Sequence, residues 1–444
     1  MAVLLDTRST TDRRDARSRG DAPRILHLST YDAHDGAARG SAWLNKALRQ
    51  RGVDSSIVVG RKKSDDPAFL PMPGRIAPIT AALRVRLDRI PLSRYPALTE
   101  SFWTIGWIPC RFDRILRDIE PDIVHLHWVG AGFLPIRALR QFRRPVVWTL
   151  RDMWGFTGGC HYTAGCERYH ESCGCCPQLH SNRETDLSRA IWNAKRKHWT
   201  GLDLHLVAIS DWLARCVQSS GLLHSFPVDV IPNGLELGRF QPADKQFARR
   251  AWNLPADRQI VVYGALRATT DPRKGYRELI AALARLKEDG RGENMMLVVF
   301  GDEKVGPPPQ LAMESRNVGY IEDDQRLSLL YSAADIAVVP SKEEAFGKTL
   351  IEAMACGTPV VAFDSGGPKD IITHRHDGYL AAAYSIDDLA EGVVWSLDQV
   401  RTGPGLGQRA RAKVHAKFDI DVVAASYEKL YRSILANAAA RASG

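Results

Sequence analysis

Short apolar runs recur along the whole chain, and each is followed by a longer stretch whose apolar residues fall at helical spacing. "RILHLST" leads into "GAARGSAWLNKALRQRG", and "SSIVVG", "PDIVHLHWV", "RPVVWTL" and "LHLVAIS" continue the pattern through the first half. The second half repeats it with "RQIVVYGAL", "NMMLVVFGD", "DIAVVPS" and "TPVVAFDS". Strands of roughly four to eight residues separated by helices imply βαβ units, and therefore parallel sheets buried on both faces.

A chain of 444 residues is too long for one ordinary core and favours two sizeable domains. The expected division is a first α/β domain over residues 23–235 and a second over 236–420. The turn-rich "VDVIPNGLELGRFQPADKQ" lies between them. Residues 421–444 read as a helix that can reach back to the first domain. Residues 1–22 mix Arg and Asp without periodicity and lack the apolar core of a secretory signal; they read as a disordered tail of a cytoplasmic protein. Open α/β sheets bind ligands at the carboxyl ends of their strands, so two facing domains predict one shared cleft.

The net charge of +9 suits acidic partners, but it is scattered and accompanies no recognisable nucleic-acid module, so nucleic acid is not an expected ligand. The segment Arg75 to Ile90 is the exception to the scatter. Ile76, Ile79, Leu83, Leu87 and Ile90 share one helical face with Arg75, Arg84, Arg86 and Arg89 off it. Such a stripe suits an anionic surface, here the inner face of the plasma membrane, or packing on its own domain. No run of about 18 apolar residues offers a membrane span.

The chemistry concentrates in "SKEEAFGKTLIEAMACGTPVVAFDSGG". A loop after a strand delivers Glu343 and Glu344, and Phe346-Gly347 opens a helix whose first turn presents free N–H groups to an anion. Glu352 lies farther along that helix, where a carboxylate can accept hydrogen bonds from vicinal hydroxyls. "HLHW" ends a strand with His125 and His127 on one face, and "TLRDMW" ends another.

This word order, with "HDGAARGSAWLNKAL", "VAISDWL", "VIPNGLELGRF", "DPRKGY" and "HRHDGYLA", resembles retaining GT-B glycosyltransferases of family 4 over residues 24–432. "TLRDMWGFTGGCHY" resembles bacterial exopolysaccharide transferases of the colanic-acid type. The resemblance implies two Rossmann-like domains facing across a cleft. It also implies a nucleotide-sugar donor (GDP- or UDP-linked) and a polyprenyl-diphosphate-linked saccharide acceptor.

Residue by residue, the resemblance implies that Glu352 holds the ribose and Glu344 lies beside the donor sugar. Phe346, Gly347 and Lys348 approach the sugar and phosphate, and Lys274 binds the diphosphate. Ala265 stands where relatives carry an arginine, which leaves Arg267 or Arg273 to substitute. Fixed cations fit the task, because the leaving nucleoside diphosphate gains charge as the glycosidic bond breaks. Gly36 and Asp35 correspond to the first-domain loop near the donor phosphates. Asp152, His127 and His161 are the candidates for contacting the acceptor hydroxyl, since Arg151 replaces the histidine often found there. No catalytic divalent metal is expected. Epimerisation of a nucleotide sugar and a non-catalytic scaffold are the competing readings.

Five cysteines crowd "GGCHYTAGCERYHESCGCCPQL". Cys160, Cys166, Cys173 and Cys176 form C-x5-C-x6-C-x2-C, whose last pair is a common half of a tetrahedral zinc site. Structural zinc, reduced or redox-sensitive thiols, and disulfides all fit the spacing.

Overall fold

The computed structural model describes residues 23–32, 36–72, 77–98, 102–302 and 313–443. The tail 1–22, Asp35, Arg75 and Ile76 lie outside them.

In the first domain β1 (Arg24–Tyr31), β2 (Asp54–Arg61), β3 (Phe69–Pro71), β4 (Ile123–Leu126), β5 (Val146–Leu150), β6 (Leu204–Ala208) and β7 (Val228–Val230) form a sheet of order 3-2-1-4-5-6-7. In the second, β8 (Gln259–Gly264), β9 (Met295–Phe300), β10 (Glu314–Asn317), β11 (Ile336–Val339), β12 (Val360–Phe363) and β13 (Tyr379–Ala381) are ordered 10-9-8-11-12-13. Every pairing is parallel. Strands β4, β5, β9, β11 and β12 are buried throughout, as continuous apolar runs under helices on both faces must be.

The strand order reverses between β1 and β4 in one sheet and between β8 and β11 in the other. At such switch points the following loops diverge to opposite faces and leave a crevice. The segments after β1, β4, β8 and β11 carry Gly36, Trp128, Ala265 and Glu344, and these four residues line one cavity between the domains.

The helix Ile420–Ser443 crosses back onto the first domain. His27 and His125 are register partners on β1 and β4, and His127 shares their face two residues on. Tyr431 Oη lies 2.7 Å from His125 Nδ1, and Tyr427 Oη 2.8 Å from Thr149 Oγ1, so the returning helix is bonded to the sheet as well as packed on it. Buried polar groups of this kind hold only one register well, because a shift leaves them unpaired.

The amphipathic stripe expected over Arg75–Ile90 is corrected in part. A helix does span Ala77–Asp88, but Arg84 is no surface cation. Its guanidinium donates to the carbonyls of Gly132, Pro109 and Ile108 and ties two loops together. Leu83 and Ile90 are exposed.

Candidate active site

A cavity opens between the two sheets. The helix Gly36–Gln50 of the first domain and the helix Lys348–Ala355 of the second both begin in its wall. Their N-termini meet across the cleft, since a Cβ on Gly36 would stand 3.8 Å from Lys348 Cδ. Free N–H groups and positive dipole ends from two domains thus converge where Arg39, Arg151, Lys274 and Lys348 also line the wall.

Tight local packing aims the acidic residues. Gly347 caps its helix at φ +108, a conformation open to glycine at little cost. Gly366 and Gly367 support the preceding loop from below: a Cβ on either would come within 2.4–2.5 Å of the carbonyls of Glu344 and Ala345. Glu344 forms a 2.6 Å ion pair with Lys274. Burial opposes its charge, but Lys274 and Arg273 outweigh burial and bring its carboxyl below the usual range.

Glu352 is different. Burial dominates and pushes its carboxyl up despite Lys348 and Arg39. Lys348 Nζ stands 3.8 Å from Glu352 Oε1 and over the Trp43 ring, buried and without a hydrogen-bond partner. Burial and the nearby Arg39 lower its pKa to about 7. A buried ammonium with unfilled donor capacity is costly in isolation, and it faces a cavity that suits an anion.

A second cavity shares Trp128, Asp152, Tyr162, Leu266 and Lys274 with the first. Its walls add Tyr31, Phe102, Trp103, His161 and the cations Arg89, Arg267 and Arg273. Tyr31 stacks on Trp128, and the Arg273 guanidinium lies over the Tyr162 ring at 4.1 Å. Asp152 accepts from His161 Nδ1 at 2.7 Å, from Trp128 Nε1 at 2.8 Å and from the Trp154 N–H at 2.9 Å. Burial opposes its charge, and His161 outweighs it, so Asp152 titrates below its usual range. Thr104 Oγ1 accepts from the Ala131 N–H and lies 2.9 Å from His161 Nε2, which fixes the imidazole from its far side.

The domains are bonded across the cleft. Ser210 caps the helix Asp211–Gln218 and donates to the Ala345 carbonyl at 2.6 Å. Glu343 accepts from Thr163 N–H, Thr163 Oγ1 and the Ala164 N–H at 2.9–3.1 Å.

Two family profiles match the chain: Glycosyltransferase Family 4 over residues 34–239 and glycosyl transferases group 1 over residues 244–413. The chain carries both glycosyltransferase domains. The solved sucrose-phosphate synthase of Thermosynechococcus elongatus superposes with a TM-score of 0.68 at 22% identity, covering 94% of this chain and 100% of that one. Anabaena HepE in complex with UDP and glucose does so with a TM-score of 0.61 at 19% identity, covering 93% and 100%. These likenesses establish the fold, which is GT-B. D-inositol 3-phosphate glycosyltransferase 2 of Catenulispora acidiphila is 34% identical over 221 residues, 47% of this chain and 51% of that protein. The corresponding enzyme of Mycobacterium avium is 28% identical over 330 residues, 70% of each. The chain spans about half the length of the more identical curated relatives it matches. The names of these relatives are not of the colanic-acid type.

In these glycosyltransferase domains Glu344, Lys274, Phe346, Gly347, Lys348, Glu352 and Gly36 lie together in the first cavity. Asp152 stands in the wall shared by both cavities, and His161 and Arg267 belong to the second alone. Arg267, with φ +59, lies over the Phe102 ring.

His127 is a correction. It lies fully behind the cleft, with Nε2 2.8 Å from His27 Nδ1, while its Nδ1 accepts from Arg151. Burial, with His125 and Arg151 nearby, drives its pKa well down, so it is a neutral prop for Arg151 and does not reach an acceptor. The four cysteines line one small cavity but do not close on a point. Among the described residues only His27, His125 and His127 bring three ligand atoms within 4.8 Å. Sequence reasoning missed Arg39, Tyr162 and the Thr163–Glu343 clasp; "VAISDWL" held the signal for Ser210 but not for its partner across the cleft.

Proposed function

We propose that the chain transfers a sugar from a nucleoside diphosphate donor to a hydroxyl of a saccharide or phosphorylated polyol. The observation that carries this reading is the meeting of two helix N-termini, one from each domain, in a cavity that also collects Lys274, Lys348, Arg39 and Arg151. That arrangement fits a diphosphate. Glu352 offers two carboxylate oxygens to the ribose hydroxyls, and the wall at Gly301, Tyr320 and Ile321 receives the base.

Retention of configuration, which the likeness to family 4 implies, needs a route other than double displacement. Glu343 is engaged by Thr163 and Ala164, and Asp152 by His161, Trp128 and Trp154, so neither pairs with Glu344 as the second carboxylate of a double displacement. The acceptor oxygen bonds to the anomeric carbon on the face from which the diphosphate oxygen departs, and that departing oxygen takes the hydroxyl proton. Lys274 and Lys348 stabilise the growing phosphate charge, and ionised Glu344 faces the electron-poor sugar.

The second cavity serves the acceptor: aromatic faces suit a sugar ring, and Arg89, Arg267 and Arg273 suit a phosphate or diphosphate. Relatives named for D-inositol 3-phosphate support a phosphorylated acceptor. Exposed Leu83, Ile90, Phe102 and Trp107 stand on segments next to this cavity, which favours a diphosphate-linked lipid presented at an anionic membrane, as in exopolysaccharide assembly. No helix among the described residues is long and apolar enough to cross a membrane.

The test is calorimetric binding of UDP-, GDP- and ADP-sugars to wild type and Glu352→Ala, followed by mass-spectrometric detection of transfer. One base should bind selectively and lose affinity in the variant. Failure of the wild type to bind any of them would remove the basis of the proposal, and conversion of the donor without acceptor would favour epimerisation.

A further inference from the structure

Residues 151–186 contain only three single-turn helices, Trp154–Phe156, Arg168–His170 and Pro177–Leu179. Yet this stretch is far from loose. It places His161 and Tyr162 in the acceptor cavity and grips Glu343 of the other domain through Thr163 and Ala164. Long irregular segments with no ladder of their own need another source of order.

We infer that Cys160, Cys166, Cys173 and Cys176 hold one zinc ion as a structural tetrathiolate site. All four line the same small cavity, and Cys160, Cys173 and Cys176 are buried. All are free of disulfides.

Hydrogen-bond donors reach two of the sulfurs. Backbone N–H groups of Gln178 and Leu179 point at Cys176 Sγ, and that of Gly158 at Cys173 Sγ. Donors aimed at sulfur stabilise its charged form far more than its neutral one. The turn Cys173–Cys176 passes through Gly174 at φ +142 and Cys175 at φ +42, which brings the C-x2-C sulfurs to one side.

Lys195 supplies a third argument. It is wholly buried, donates to the carbonyls of Trp154 and Thr157, and has no carboxylate within salt-bridge distance among the described residues. The acidic groups whose charge acts on it are Cys173, Cys160 and Asp152. A divalent ion with four thiolates carries net negative charge, and a buried ammonium beside it offsets that charge.

No three of the four sulfurs lie within 4.8 Å of one another in the metal-free chain, so an ion with metal–sulfur bonds of about 2.3 Å has to draw them together. The three clustered imidazoles are the poorer site, because His125 is bonded to Tyr431 and Thr149 and His127 to His27 and Arg151, whose charge repels a cation.

Full-length protein purified from zinc-supplemented culture should carry one equivalent of zinc by mass spectrometry. Cys110→Ser should keep it, and Cys173→Ser/Cys176→Ser should fall below about a tenth of an equivalent. Cobalt-substituted wild type should show the intense visible bands of a tetrahedral thiolate site, which keeps the test valid even where the double variant fails to fold. Wild type without metal, thiols missing from the eight in the sequence on titration of unreduced denatured protein, or unchanged zinc in a folded double variant would each overturn the assignment.

Discussion

Lys348 is the most exacting point in the donor site, so Lys348→Met is the perturbation to follow in detail. Its ammonium is buried without a hydrogen-bond partner and titrates near 7, against about 10.4 in an unfolded chain. The folded pKa is depressed, so between these values the unfolded state binds more protons and stability rises with pH. From pH 7 to 9 the wild type should therefore gain about 2 kcal/mol on Lys348→Met in urea unfolding. Ligand binding should run the other way. A diphosphate holds Lys348 protonated, so wild-type affinity for the nucleotide sugar should weaken roughly fifteenfold between pH 7 and 8.5. At pH 7 the variant loses a charge-assisted hydrogen bond of about 1.5–3 kcal/mol, or roughly ten- to a hundredfold in Kd. Its pH slope over this range should be flat. Titration calorimetry from pH 6.5 to 8.5 on both proteins reads every term. Equal affinities, or the same slope in both proteins, would show that Lys348 does not meet the diphosphate.

Other expectations address the neighbouring groups. Lys274→Ala should lower kcat roughly 10²- to 10³-fold in a donor-saturated transfer assay, and it leaves Glu344 buried without its 2.6 Å partner. Glu343→Ala should raise the acceptor KM about tenfold while calorimetric donor affinity holds, because it releases the Thr163 clasp. Asp152→Asn should cost about 1–3 kcal/mol at pH 7. Asp152 titrates low in the fold, so the gap to wild type in urea unfolding should close as pH falls from about 4 through that lowered pKa. Tyr431→Phe should cost about 1–3 kcal/mol by unpairing His125 Nδ1, with nucleotide affinity unchanged.

The sequence by itself determined the two parallel sheets and the donor half of the site. Continuous apolar strands need cover on both faces, and "EEAFGKTLIE" sets a loop, a glycine cap and a helix in one contiguous stretch. Local order along the chain was enough to bring Glu344, Gly347, Lys348 and Glu352 to one cavity wall. The tertiary structure alone decided what meets that wall from the far side. Arg39 and Arg151 arrive from another domain, and Glu343 is held by Thr163, separated from it by 180 positions. The same gap explains His127. Its strand-end position suggested the cleft, but the returning helix Ile420–Ser443 and the pairing of β1 with β4 enclose that face and turn three histidines into a neutral scaffold. Periodicity reports which side of a strand a residue occupies, and only the packing of distant elements decides whether that side is core or cleft.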